Sequence, residues 1–146
     1  MAGYRTSTEV AASADVVWRV LSDVESMPEW TASMDNVEVV SGQRPPGPGT
    51  VVRISQPKFP AASWLIDAWE PPLRFAWTNR SPGMLSHAEH VVTPIDDTRC
   101  RVELSIEQTG WLSGLFAALT MRRTRAYVDM ELAGLKARSE AEAGRG

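Results

Sequence analysis

Hydrophobic positions change their period three times along the chain. From Tyr4 to Val10 the residues alternate, with Tyr4, Thr6, Thr8 and Val10 on one side and Arg5, Ser7 and Glu9 on the other. A period of two predicts a strand. Ser13 then offers an N-cap, and Val16, Val17, Val20 and Leu21 recur at helical spacing, which predicts a short helix. Pro28 follows Asp23-Val24-Glu25-Ser26-Met27 and predicts a break, then a second short helix or turn ending near Trp30. Strand patterns follow at Val37–Ser41, Thr50–Gln56, Ala62–Glu70, Leu73–Arg80, Met84–Thr93 and Arg99–Gln108. Proline and glycine punctuate them: Gly42–Gly49 is a loop, and Pro71-Pro72, Ser81-Pro82-Gly83 and Pro94–Thr98 are turns. Turns at such short intervals predict an antiparallel meander. The last segment has the helical period, with Leu112, Leu115, Phe116, Leu119, Ala126, Tyr127, Met130, Ala133 and Ala137 as its apolar stripe. Ser113–Ala141 contains no proline, so it predicts one helix of roughly 40 Å at 1.5 Å per residue.

The expected fold class is α+β. It is a curved, seven-stranded antiparallel sheet wrapped around a long C-terminal helix, with two short helices after the first strand. The whole of 1–146 is expected to form one domain, because no repeat or linker divides it, and 141–146 is expected to fray. A sheet that curls around one helix leaves room for an internal cavity.

Composition narrows the function classes. Hydrophobic residues make up 43% and charged residues 23% of 146, which excludes an intrinsically disordered chain. The net charge of −3 supplies no overall basic field, so nucleic acid is not an expected partner. No run of apolar residues is long enough to predict a membrane span. Met1–Arg5 lacks an apolar signal core, so a cytoplasmic location is expected. One cysteine, Cys100, excludes an intrachain disulfide and a cysteine-built zinc site. Six tryptophans stand against three phenylalanines and two tyrosines.

Several residues offer chemistry. His87-Ala88-Glu89-His90 resembles a metal-ligand cluster, but on a strand His87 and Glu89 point to one face and His90 to the other, so no metal is expected. His90 shares its face with Val92 and is expected to meet the row Cys100, Val102, Leu104, Ile106, where it would act as general acid or base. Cys100 itself reads as a small hydrophobe. Gly47-Pro48-Gly49-Thr50 lacks the lysine of a phosphate loop and reads as a turn. Arg122, Arg123 and Arg125 cluster on the long helix; Asp129, Glu131, Glu140 and Glu142 share it, so a solvated face is expected, with Arg123 closest to the apolar stripe. Trp64 and Ile66 share one strand face, and Phe75 and Trp77 share one on the next; such aromatic rows suit a flat apolar ligand. Ala88, Leu104, Ile106, Phe116 and Leu119 complete the expected lining, and Trp30 is placed at the mouth. Trp18 is assigned to the core, and Trp69 to the face opposite Trp64.

The segment from Ala14-Asp15-Val16-Val17-Trp18 to Glu25, with Pro28-Glu29-Trp30, resembles the polyketide cyclase/dehydrase and lipid-transport proteins of the START-like (SRPBCC, helix-grip) superfamily. Gly49–Ile54, Trp64, Pro72–Trp77, His90 with Pro94, Thr98–Val102 and Ala133–Lys136 match as well. The resemblance implies a helix-grip fold that binds a hydrophobic small molecule: polyketide-, aromatic- or lipid-like. It leaves three readings open. One is a cyclase or dehydratase in which His90, Arg123 and Tyr127 polarise carbonyls or move protons. The second is a carrier or sensor without chemistry, and the third is a co-chaperone-like interaction module. No cofactor is expected, and the chain is expected to be a monomer or a homodimer.

Overall fold

The computed structural model describes residues 2–145. Strand β1 (Ala2–Val10) leads to helix α1 (Ala14–Ser22) and a 3-10 turn (Val24–Glu29). Strands β2 (Asn36–Ser41), β3 (Val51–Ser55), β4 (Ala62–Glu70), β5 (Arg74–Ser81), β6 (Met84–Asp96) and β7 (Arg99–Thr109) follow, and helix α2 (Ser113–Arg145) closes the chain. The seven strands form one antiparallel sheet in the order β1-β7-β6-β5-β4-β3-β2. The meander is therefore continuous from β2 to β7, and β1 adds to its far edge against β7.

Local signals act where the pattern puts them. The Ser13 hydroxyl accepts from the Val16 N–H at 3.2 Å and starts α1, which buries Val17 and Leu21. Pro28 sits inside the 3-10 turn, whose last N–H, on Trp30, donates to the Met27 carbonyl. Gly110, at φ +111°, brings the β7–α2 corner against the β5–β6 turn: a Cβ there would lie 2.4 Å from the Gly83 carbonyl oxygen.

Two expectations are corrected here. The register shifts between Ile66 and Ala68, so one extra residue on β4 reverses the alternation. Trp69 thereby turns to the same inner face as Trp64, and its ring lies 5.2 Å from Trp18 and 5.3 Å from Phe75. The second correction concerns α2. Its buried positions are Ser113, Thr124, Leu132, Leu135 and Ser139, whereas Leu115, Leu119 and Met130 are exposed. The apolar stripe read from the sequence is thus centred roughly 150° around the helix from the buried positions, at 3.6 residues per turn.

The helix also continues past Ala141, where fraying is expected, to Arg145; Ala143 packs on the core and Arg145 pairs with Glu142 at 3.0 Å. Gly146 and Met1 lie outside the described residues. The buried apolar cluster joins Val10, Val17, Leu21, Val92, Cys100, Val102, Leu132 and Leu135, so it gathers under α1 and the second half of α2. The first half of α2 contributes only Ser113 and Thr124 to the buried set. Beneath it the fold is hollow.

Candidate functional site

The inner rows of β6 and β7 place a polar group at each end of an apolar wall. On β6 the row is Met84, Ser86, Ala88, His90 and Val92; on β7 it is Cys100, Val102, Leu104, Ile106 and Gln108. Register sets His90 beside Leu104, Ala88 beside Ile106, and Ser86 beside Gln108. The His90 and Gln108 levels are four residues apart, roughly 13 Å along the strand.

Between this wall and the first half of α2 lies a cavity of about 480 Å³, a size that suits a small organic molecule. Trp64, Trp77, Ala88, Leu104 and Ile106 line it from the sheet, with Met34, Ile54 and Met84. Phe116, Thr124, Tyr127, Val128 and Glu131 line it from α2. Its exposed rim carries Pro60, Ala61, Arg80 and Ser81, which mark the mouth.

His90 is 3% exposed and held on three sides. Its ring stacks on Phe75, centroid to centroid at 4.1 Å, and meets Trp77 edge-on at 5.2 Å. Nδ1 faces the Phe75 carbonyl at 3.3 Å, and Nε2 faces a Glu131 carboxylate oxygen at 3.2 Å. Both partners are acceptors, so each ring nitrogen donates when it carries a proton. A carboxylate on the wall of an apolar cavity needs such a donor. The two side chains therefore form a fixed pair on the cavity wall.

The other end of the cavity is polar and unpaired. Gln108 is buried, and among the described residues its Oε1 has no hydrogen-bond partner. Ser86, its register neighbour, lines the same end with Asn79. A ligand that lies along the wall meets an acceptor there, after an apolar stretch.

The structure sorts the expected residues. Trp64, Trp77, Ala88, His90, Leu104, Ile106, Phe116 and Tyr127 reach the cavity. Ile66 and Phe75 are fully buried on the same inner face, beside Trp77 and His90, and do not line the cavity. The Tyr127 hydroxyl donates to the Pro57 carbonyl, and its ring, packed against Phe59 at 5.6 Å, forms part of the wall. Arg123 precedes Thr124 by one position and is turned away; its guanidinium lies over the Phe59 ring, 5.5 Å from the centroid. Leu119 is 75% exposed. Trp30 sits far from the mouth, against Gly134 of α2. Cys100 is buried, and burial pushes its thiol up, in keeping with a packing role.

His87 serves the outer face. Its Nδ1 meets the Thr78 hydroxyl at 2.8 Å and its Nε2 meets Glu89 at 2.6 Å. Arg74 clamps Glu89 with two bonds of 2.7 and 3.0 Å and holds that carboxyl below the usual range. The two histidines thus face apart, as the strand period requires.

Sequence reading missed Glu131, Gln108 and Ser86, though signals existed for each. Glu131 lies four residues after Tyr127, on the same helical face. Gln108 is the next inward position after Ile106, and Ser86 the one before Ala88.

The family model described as polyketide cyclase / dehydrase and lipid transport matches residues 1–140. No curated protein matches the chain in sequence. Three solved structures share its fold. The Zhui aromatase/cyclase from Streptomyces sp. R1128 is 19% identical, with a TM-score of 0.71 over 99% of this chain and 94% of that one. A truncated norcoclaurine synthase from Thalictrum flavum is 17% identical, with a TM-score of 0.73 over 92% and 91%. A START superfamily protein from Mycobacterium smegmatis is 13% identical, with a TM-score of 0.70 over 98% and 97%. At such identities the likeness carries fold and not activity.

Proposed function

Because this chain belongs to the polyketide cyclase/dehydrase and lipid-transport family, we propose that it binds an elongated apolar ligand under α2 and moves a proton at a ligand carbonyl with His90. The observation that carries this reading is the His90–Glu131 pair, 3.2 Å apart, on the wall of an otherwise mainly apolar cavity. A plain carrier needs no such pair, and burying it without a use costs stability.

The substrate class is a polyketide-like chain with several carbonyls, bent by the shape of the cavity. His90 takes a proton from the carbon beside one carbonyl, and Glu131 steadies the charged ring that results. The enolate carbon then bonds to a second carbonyl carbon of the same molecule. The new alkoxide recovers the proton from His90, so ring closure is balanced; a following dehydration releases one water. Holding both carbonyls in reach supplies much of the rate. The chain acts as a single domain throughout, and Gln108 with Ser86 receives a hydroxyl or N–H at the far end of the ligand.

The test begins with mass spectrometry of small molecules that copurify with the native protein. Their class then sets the substrate for comparing wild type with His90→Gln. Glutamine keeps a polar group of similar reach but moves no proton near neutral pH. The rate should fall roughly 10²–10⁴-fold with little change in affinity. Full turnover in His90→Gln removes the histidine from the chemistry. A carrier is the second reading, favoured by the engagement of Tyr127 with Pro57 and of Arg123 with Phe59. It predicts a bound ligand that leaves unchanged.

A further inference from the structure

The first half of α2 carries apolar side chains on both sides. Phe116, Thr124 and Tyr127 line the cavity, and leucine lies on the outer side. On the helix Leu115 is 60% and Leu119 75% exposed, four residues apart and so side by side, and Trp111, in the turn that leads into the helix, is 83% exposed. Arg122 continues the stripe, exposed, three residues beyond Leu119. From Trp111 to Val128 the chain has three arginines and no acidic residue, although the whole protein carries −3. The cations extend around the mouth: Arg80 is an exposed rim residue, and exposed Lys58 precedes Phe59, which lines the cavity beneath Arg123. Trp111 itself packs on the Gly83 turn, which joins the Ser81 rim to Met84 of the lining.

A soluble surface does not keep a contiguous patch of one tryptophan and two leucines without a use for it. Exposed leucines on one helical stripe beside arginine, with an exposed tryptophan at the start of the helix, suit a helix that lies in a lipid interface. We propose that this rim docks the cavity mouth onto the surface of an anionic lipid bilayer. Trp111, Leu115 and Leu119 enter the headgroup boundary, and Arg122, Arg80 and Lys58 meet the lipid phosphates. Charge complementarity selects a bilayer with net negative charge. Trp111, Leu115, Leu119, Arg122, Arg80 and Lys58 together present apolar surface and cations, which sets an anionic bilayer ahead of a protein surface. An apolar ligand then passes between bilayer and cavity without crossing water. This docking goes beyond the His90 reading and does not depend on it.

The test is co-sedimentation of the full chain with two kinds of vesicle: phosphatidylcholine alone, and equal parts phosphatidylcholine and phosphatidylglycerol. The protein should pellet with the mixed vesicles, weaken as salt rises, and stay in solution with phosphatidylcholine alone. Trp111→Ser with Leu119→Ser should abolish pelleting, with circular dichroism and melting unchanged because both positions are exposed. Arg122→Glu should weaken binding by more than about fivefold, since each basic residue near such a surface is worth about that factor. Leu73→Ser, an exposed leucine elsewhere, and His90→Gln should bind as wild type does. For wild type, brominated lipid should quench an emission component that Trp111→Phe lacks, a readout that needs no destabilising change. Failure to pellet with anionic vesicles overturns the proposal, as does pelleting that ignores the Trp111 and Leu119 changes. A dimer in light scattering that those changes turn into a monomer overturns it too, assigning the face to a second copy. Capture of an acidic protein by the same face, with no vesicle binding, likewise overturns it.

Discussion

A carboxylate facing an apolar cavity needs a partner, and at Glu131 the partner is His90. Neutralising it tests that dependence: Glu131→Gln should cut turnover less than His90→Gln, because the proton acceptor remains and only its orientation and charge balance suffer. Equal losses, read as kcat at saturating substrate, would make the two a single unit. Gln108 poses the converse problem. Its Oε1 is buried, and among the described residues no group donates to it, so Gln108→Leu should raise the melting temperature, worth roughly 1 kcal/mol. The same change should weaken a ligand that carries a hydroxyl or N–H at that end by about three- to tenfold. A variant that melts lower and binds as before would deny Gln108 a place in recognition.

Among the elements, α2 is held by a close approach that helix propensity opposes. A Cβ at Gly134 would lie 1.9 Å from the Trp30 carbonyl oxygen. Alanine is the better helix former by about 1 kcal/mol, yet crowding at a packed contact costs roughly 1–3 kcal/mol or more. Gly134→Ala should therefore lower the melting temperature. At Gly114 a Cβ meets nothing within 4 Å, and Gly114→Ala should leave stability unchanged or raise it. Strands β5 and β6 are linked on their outer face by Arg74 and Glu89. Arg74 lowers the Glu89 pKa in the folded state, so the pair contributes stability above the unfolded carboxyl value of about 4.3 and loses it as pH falls below that. Glu89→Gln should lower the melting temperature at pH 7, and the difference from wild type should close below about pH 4. A gap that stays constant through that range would place the effect in packing.

For the whole molecule, a hollow under α2 makes stability depend on what fills it. A ligand at a hundredfold excess over its Kd adds about 2.7 kcal/mol, which for a domain of this size is roughly 5–10 °C of melting temperature. A naphthalene-class probe should bind at about one per chain, quench tryptophan emission saturably, and bind more weakly to Trp77→Ala, since Trp64 and Trp77 share one wall. Unchanged binding in that variant would move the site elsewhere. The elements themselves were legible in the residues: alternation at Tyr4–Val10, the Ser13 cap, the Pro28 break and the turn prolines act within a few residues of chain, and β4 falls at the predicted Ala62–Glu70. The inward rows of β6 and β7 were legible for the same reason, and they placed His90, Leu104 and Ile106 correctly on one face. Which side of α2 meets the sheet was not legible. Burial normally selects the apolar side of a helix, but here the inner side borders a cavity lined by Phe116, Thr124, Tyr127 and Glu131, and Leu115 and Leu119 are left outside. The reversal of Trp69 came from one extra residue in the pairing of β4 with β5, which no period within β4 records. Local chemistry determined the elements and their order; the phase of α2, the bulge in β4 and the meeting of His90 with Glu131 depend on contacts between distant segments, and only the folded chain decided them.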